Sequence, residues 1–258
     1  RSVRGEALAG WLERYPGHPR ADDVRAALAE GDLSRALNAP AIAGDTLRAL
    51  TPLFDLGRVL GRMACDLAPG GIREVEVRYE GASNEALDPL TAYVLMGLLE
   101  NVLGSDHVNF VSAEHLARQR DIGVARTRVS HDSDYAEYVE VVVAAERGEL
   151  VLAGALLGER HPRLVRIADY HVDVVPTGTV IVLLNDDVPG VIGRVGTLLG
   201  AHEINIAGYH QARHDKGGQA LAAIAVDGHV GSDVREALLE LDEVSKAVVI
   251  ELDSQIVP

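Results

Sequence analysis

Three polar side chains in the last third of the sequence, Asn185, Asp187 and Asn205, are the strongest candidates for chemistry. The first two sit in Leu184-Asn185-Asp186-Asp187-Val188-Pro189-Gly190, a polar turn leading into an amphipathic helix. The third begins a strand, in Glu203-Ile204-Asn205-Ile206. A Pro-Gly start leaves the first N–H groups of the helix, near Gly190, Val191 and Ile192, without intrahelical partners. If the two polar segments converge there, a carboxylate can hold an ammonium, the helix N–H groups a carboxylate and the amides a hydroxyl. Such a corner can bind a small amino acid. Asp187 has a second reading, as the helix N-cap. Asn205 has none so simple, because Asn is depleted in strands and needs a partner there.

Arg160, His161, Arg163 and Arg166, followed by His171, form the only dense basic cluster of the chain. In a loop after Gly158, such a concavity can hold an anion through charge-assisted, bidentate contacts. The alternative is a set of solvated charges paired with surface carboxylates. His131-Asp132-Ser133-Asp134 offers a His, a Ser and two acids, but in one polar loop without a glycine-rich nucleophile turn, so no catalytic triad is expected. His107 beside Asp106 and His202 beside Glu203 lack further ligands at metal spacing, and no metal is expected. Cys65, the sole cysteine, lies in an apolar run and reads as a buried structural thiol.

The balance of 24 basic against 39 acidic residues gives a formal net charge of -15 over 258 residues. That argues against a nucleic-acid partner, which needs a basic stripe. No apolar run approaches the ~20 residues of a membrane span, and the start is not a signal peptide, so a soluble, cytoplasmic protein is expected. A single cysteine fits a reducing compartment. The opening at Arg1 suggests a piece of a longer chain.

Two regions of secondary structure must position these residues. Residues 1–40 are polar and broken by proline, with one helix from Asp22 to Leu37, and read as a lead-in. Residues 41–176 read as an α+β unit. It has helices from Asp45 to Leu67, Asp88 to Leu103 and Ser112 to Gln119, the last begun by a Ser-x-Glu cap. Its strands are Ile72 to Tyr79, with one slip at its start, Ala125 to Ser130, Tyr138 to Ala145 and Leu150 to Leu157. Gly148 in Glu146-Arg147-Gly148-Glu149 marks a hairpin turn needing positive φ. Residues 177–258 read β-α-β-β-α-β, a ferredoxin-like arrangement: strands from Thr179 to Leu184, Asn205 to Arg213, Ala220 to Asp227 and Ser245 to Leu252, helices from Pro189 to Ala201 and Ser232 to Leu241. Strands Val180 to Leu184 and Ala220 to Val226 are apolar on both faces, so a second copy is expected to cover the free face and edge of this sheet.

Residues 179 to 252 resemble an ACT domain. Asn-x-Asp-x-Pro-Gly, Gly196-Thr197-Leu198-Leu199-Gly200 and Ile204-Asn205-Ile206 are similar to the serine-sensing version in the D-3-phosphoglycerate dehydrogenase family. Leu37-Asn38-Ala39-Pro40, Val108-Asn109-Phe110-Val111, Ala117 to Val124 and Gly154-Ala155-Leu156-Leu157-Gly158 resemble that family's exit segment and intervening, allosteric substrate-binding domain. The resemblance implies L-serine held by Asn185, Asp187 and Asn205 across a homodimer interface. It also implies an anion, a phosphorylated acid, at the basic cluster, although Tyr170 and Val175 stand where some relatives carry Arg. It implies NAD in the parent enzyme but no cofactor and no catalytic residue in this chain, since no Gly-x-Gly-x-x-Gly follows a strand. Two alternatives are the small subunit of an iron-sulfur L-serine dehydratase, whose Ser-Ser-Ser-His-Thr start is lacking, and a free-standing amino-acid-binding module.

Overall fold

A computed structural model describes residues 44–130, 135–158 and 160–252. The lead-in, its helix and the Leu37-Asn38-Ala39-Pro40 segment lie outside the described residues, as does His131 to Asp134. Two sheets form. The first holds β1 (Ile72–Gly81), β2 (Gly123–Arg128), β3 (Glu137–Ala145), β4 (Gly148–Leu157), β5 (His161–Ile167) and β6 (Tyr170–Val174) in the order β2-β1-β3-β4-β5-β6. Helices α1 (Gly44–Leu67), α2 (Leu87–Leu103) and the short α3 (Ala113–Arg118) accompany it. The second sheet holds β7 (Thr179–Asp186), β8 (Ile206–Arg213), β9 (Gln219–Val226) and β10 (Val244–Glu251), ordered β10-β7-β9-β8 and antiparallel throughout. With α4 (Val191–Ala201) and α5 (Ser232–Leu239) it completes the β-α-β-β-α-β order expected from the sequence.

Alternation drives the first sheet. Val75, Val77, Tyr79, Val139, Val141 and Val143 point inward to a core shared with Leu53, Phe54, Leu60 and Met63 of α1 and Leu90, Val94 and Leu95 of α2. The slip at the start of β1 is a bulge between Ile72 and Glu74. Gly148 takes φ +145 at the β3–β4 turn, as its position demands. Helices α1 and α2 cross closely: a Cβ on Gly97 would lie 1.8 Å from the Arg58 carbonyl oxygen, and one on Gly61 1.9 Å from that of Val94.

The outward face carries a row of residues in cross-strand register: Thr127, Arg78, Glu140, Ala153, Arg166 and His171, one from each strand. Ala153 is small enough for Arg166 to reach across it. Glu140, only 8% exposed, therefore accepts from Arg78 at 2.8 Å and from Arg166 at 3.2 Å.

Three expectations need correction. The segment after Gly158 is not a loop: its residues form β5 and β6, with His161, Arg163 and Arg166 on one and His171 on the other. The short helix is not capped by Ser112; instead Asn109 Oδ1 accepts from the Val111 and Ser112 N–H groups, fixing the turn before it. The second sheet does not leave a bare face. Ile181, Leu183, Ala222 and Ile224 pack beneath α4 and α5, while Val180, Val182, Leu221, Ala223 and Ile250 join the core of the first sheet. Helix α1 touches β10, and β6 lies along β8, so this chain covers both apolar faces itself.

Candidate functional site

The polar corner lies where β7 ends. Asn185 is the last buried residue of that strand, 2% exposed, and its Nδ2 donates to the Asp186 carbonyl at 2.9 Å. Asp187 is held by the β8–β9 hairpin. Its N–H donates to the Gly218 carbonyl at 2.8 Å, and its Oδ2 accepts from Arg213 at 2.7 Å and from the Gly217 N–H at 3.2 Å. Oδ1 accepts no hydrogen bond among the described residues. Asp187 is not the cap of α4: the helix starts at Val191, Gly190 occupies the capping position at φ +93, and no side chain caps it. The chain has to turn through a left-handed residue there, which removes Asp187 from capping range and makes glycine the natural occupant. Val191 is buried and its N–H makes only a long contact, 3.4 Å, to Val188; the Ile192 side chain is 51% exposed.

Asn205 lies elsewhere. It precedes β8 rather than belonging to it, is exposed, and donates from Nδ2 to Asp227 at 2.6 Å while its carbonyl accepts from the Asp227 N–H. Asn185 pairs with Ala220 at one end of β9, and Ile206 with Val226 at the other. Six residues of strand separate them, about 20 Å. Within one chain, then, Asn185 and Asp187 form one half of the expected corner and Asn205 stands at the far end of the same sheet.

The basic cluster is dispersed along two strands. Arg166 is committed to Glu140 and to the Ala168 carbonyl at 2.8 Å. Arg163 meets Asp173 at 3.5 Å. Arg160, His161 and His171 are exposed. Among the described residues no group of three or more His, Cys, Asp or Glu side chains is placed to hold a metal. No described helix is long and apolar enough to cross a membrane.

Residues 49–168 match the family model of the D-3-phosphoglycerate dehydrogenase intervening domain, and residues 179–243 match that of the ACT domain. The chain joins an intervening domain of the D-3-phosphoglycerate dehydrogenase family to an ACT domain. It is 36% identical over 220 residues to D-3-phosphoglycerate dehydrogenase of Archaeoglobus fulgidus, covering 84% of this chain and 41% of that one. Over 237 residues it is 30% identical to the enzyme of Mycobacterium bovis, covering 90% and 44%, and over 218 residues 28% identical to that of Bacillus subtilis, covering 84% and 41%. The chain thus spans about two fifths of the length of these relatives and matches their C-terminal part.

Sequence reasoning missed Arg213 in the ACT domain. Eight residues beyond Asn205 and exposed, it reads as a solvated strand-end charge until the hairpin folds back and sets it on Asp187. That guanidinium, followed by the Gly217 N–H, holds the Asp187 carboxyl below its ordinary value. An acid held low in the folded state stabilises above its unfolded value, about 4, and loses that contribution as pH falls through the lower, folded one. Acidification below about pH 4 is therefore expected to release the 213–218 hairpin tip before the sheet melts. Amide chemical shifts of Gly217 and Gly218 followed by NMR from pH 6 to 2.5 check this; shifts in Asp187→Asn that titrate like the parent's would contradict it.

Proposed function

We propose that this chain is the serine-sensing, self-associating regulatory part of a cytoplasmic, NAD-dependent D-3-phosphoglycerate dehydrogenase, the enzyme that opens L-serine synthesis. The observation that carries the proposal is the separation of the corner into two half-sites at opposite ends of one sheet. Asp187 keeps Oδ1 available for an ammonium, with the Arg213 guanidinium beside it for a carboxylate. Asn205 of a second copy completes the site. The exposed side chains of Val188 and Ile192, next to Gly193 and Gly196 with nothing within 4 Å of their Cβ positions, give α4 an open surface on which a second copy can seat.

The chain's own residues do not fit a dinucleotide. Gly190 and Gly193 lack the fingerprint spacing, and the turn before them carries Asp186 and Asp187, which repel a pyrophosphate. Hydride transfer, in this reading, belongs to the rest of the parent enzyme. Regulation by serine would act through differential affinity for two arrangements of the assembly.

Calorimetric titration with L-serine tests the proposal. The parent chain is expected to bind, and Asp187→Ala to bind roughly ten-fold more weakly, as loss of a hydrogen bond to a charged group implies. Absence of heat with the parent at millimolar serine, or equal affinity in Asp187→Ala, would refute it.

A further inference from the structure

A second site lies at the junction of the two sheets. Strands β6 and β8 run side by side yet belong to different sheets, so no ladder joins them. At one end they are closed by the Tyr170 and His214 rings, 4.4 Å apart. At the other they part around a cleft of about 820 Å³ between Val174 and Gly208. Backbone N–H and C=O groups on two facing edges are thereby left without a strand partner.

The side chains around this cleft divide by wall. On the first-sheet wall Arg163 is the cation; its Nε is buried with no hydrogen-bond partner among the described residues, and its nearest acid, Asp173, stands 3.5 Å from Nη1. On the second-sheet wall Asp227, which accepts from Asn205 Nδ2 at 2.6 Å, and Glu251, which is paired with His229, supply carboxylates. The floor is apolar, built from Val174, Val226 and Leu252, each buried. A guanidinium with a buried, unpartnered Nε and only a 3.5 Å contact to Asp173, opposite two carboxylates over an apolar floor, suits a ligand with a negative end, a positive end and a short hydrocarbon between them.

We propose that this cleft binds a small zwitterion, an amino acid or dipeptide with a short apolar side chain, carboxylate on Arg163 and ammonium toward Asp227 and Glu251. The site lies at the opposite end of β7 from Asn185 and Asp187 and adjoins Asn205, which donates to Asp227. Because one charge is met by each sheet, the ligand favours one relative placement of the two, which gives the junction a means of being biased.

The test uses the full chain labelled with 15N, in the Asp187→Ala background so that the serine corner is disabled. The reporters are the amides of Gly178, Gly208 and Gly228, all lining the cleft. L-Valine or glycyl-L-valine is expected to shift these three amides saturably, and which of the two binds more tightly tells a free amino acid from a peptide end as the source. Isovalerate and isobutylamine, each carrying one of the two charges, should bind at least ten-fold more weakly. Arg163→Gln and Glu251→Gln should each weaken the zwitterion at least three-fold while melting like the parent. No saturable shift with either zwitterion, or isovalerate binding as well as valine, would overturn the proposal. Asp187→Ala already disables the serine corner, so failure of serine to bind the parent chain leaves the outcome of this test unchanged, and the two readings stand or fall separately.

Discussion

Gly97→Ala is expected to prevent folding or to lower the melting temperature by about 10 °C. A Cβ there would sit 1.8 Å from the Arg58 carbonyl oxygen, inside contact distance of a backbone atom that cannot rotate away. Helices α1 and α2 would have to separate, and α1 is the element that touches both sheets, so the displacement opens both halves of the main core. Overpacking in a well-filled core costs about 1–3 kcal/mol and more where backbone is struck. At about 2–4 °C per kcal/mol for a chain of this size, 3 kcal/mol gives the stated shift. Gly61→Ala, facing the Val94 carbonyl oxygen at 1.9 Å, should behave alike. Gly200→Ala, with nothing within 4 Å, should leave stability unchanged or raise it by up to about 1 kcal/mol. Thermal melts of the three variants check this; equal melting temperatures would mean that the helices do not cross this closely.

Glu140→Ala should cost about 2 kcal/mol. Its carboxylate is nearly buried and holds two guanidiniums, so removal leaves Arg78 and Arg166 facing one another across Ala153. Breaking a buried pair costs about 3–5 kcal/mol, but both arginine side chains are about a third exposed and water recovers part of it. The distinguishing measurement is a double-mutant cycle with Arg166→Met in urea unfolding. A coupling of at least 0.5 kcal/mol supports the row; additivity would show that the cross-sheet contact stabilises nothing.

The fold was legible where burial follows a simple period. The stripe of α1, the alternation in β1 and the all-apolar β7 and β9 each announced an element and its faces. Strands β5 and β6 were not legible. The bulge between Leu164 and Arg166 breaks the period of two, because Val165, packed with Ala153 and Ala155, shares the outward face with Arg166 and puts the arginines out of step. A basic, broken alternation reads as a loop, although every second side chain before the bulge is buried. The occupant of the second face of the four-stranded sheet was equally hidden. That both faces of β7 are apolar is a property of the strand, whereas cover of the sheet by α1 at β10 and by β6 at β8 and β9 depends on contacts distant in sequence.

For the corner, residue types pointed to the right turn but not to its arrangement. Asp187 and Asn205 stand out as polar residues beside apolar runs. Their separation by the length of a strand follows only from the antiparallel register of β7, β8 and β9. Arg213 escaped notice because its partner is brought to it by a hairpin.

That separation can be tested by mixing variants. If each serine site takes Asn185 and Asp187 from one copy and Asn205 from the other, Asp187→Ala and Asn205→Ala each spoil both sites of a homodimer. A heterodimer of the two variants instead contains one doubly damaged site and one intact site. Tagged variants can be mixed, allowed to exchange and purified as the heterodimer, then titrated with L-serine by calorimetry. One site per heterodimer with the parent's affinity is expected, where neither variant alone binds within ten-fold of it. A heterodimer as weak as its two parents would show that the halves do not meet across the interface.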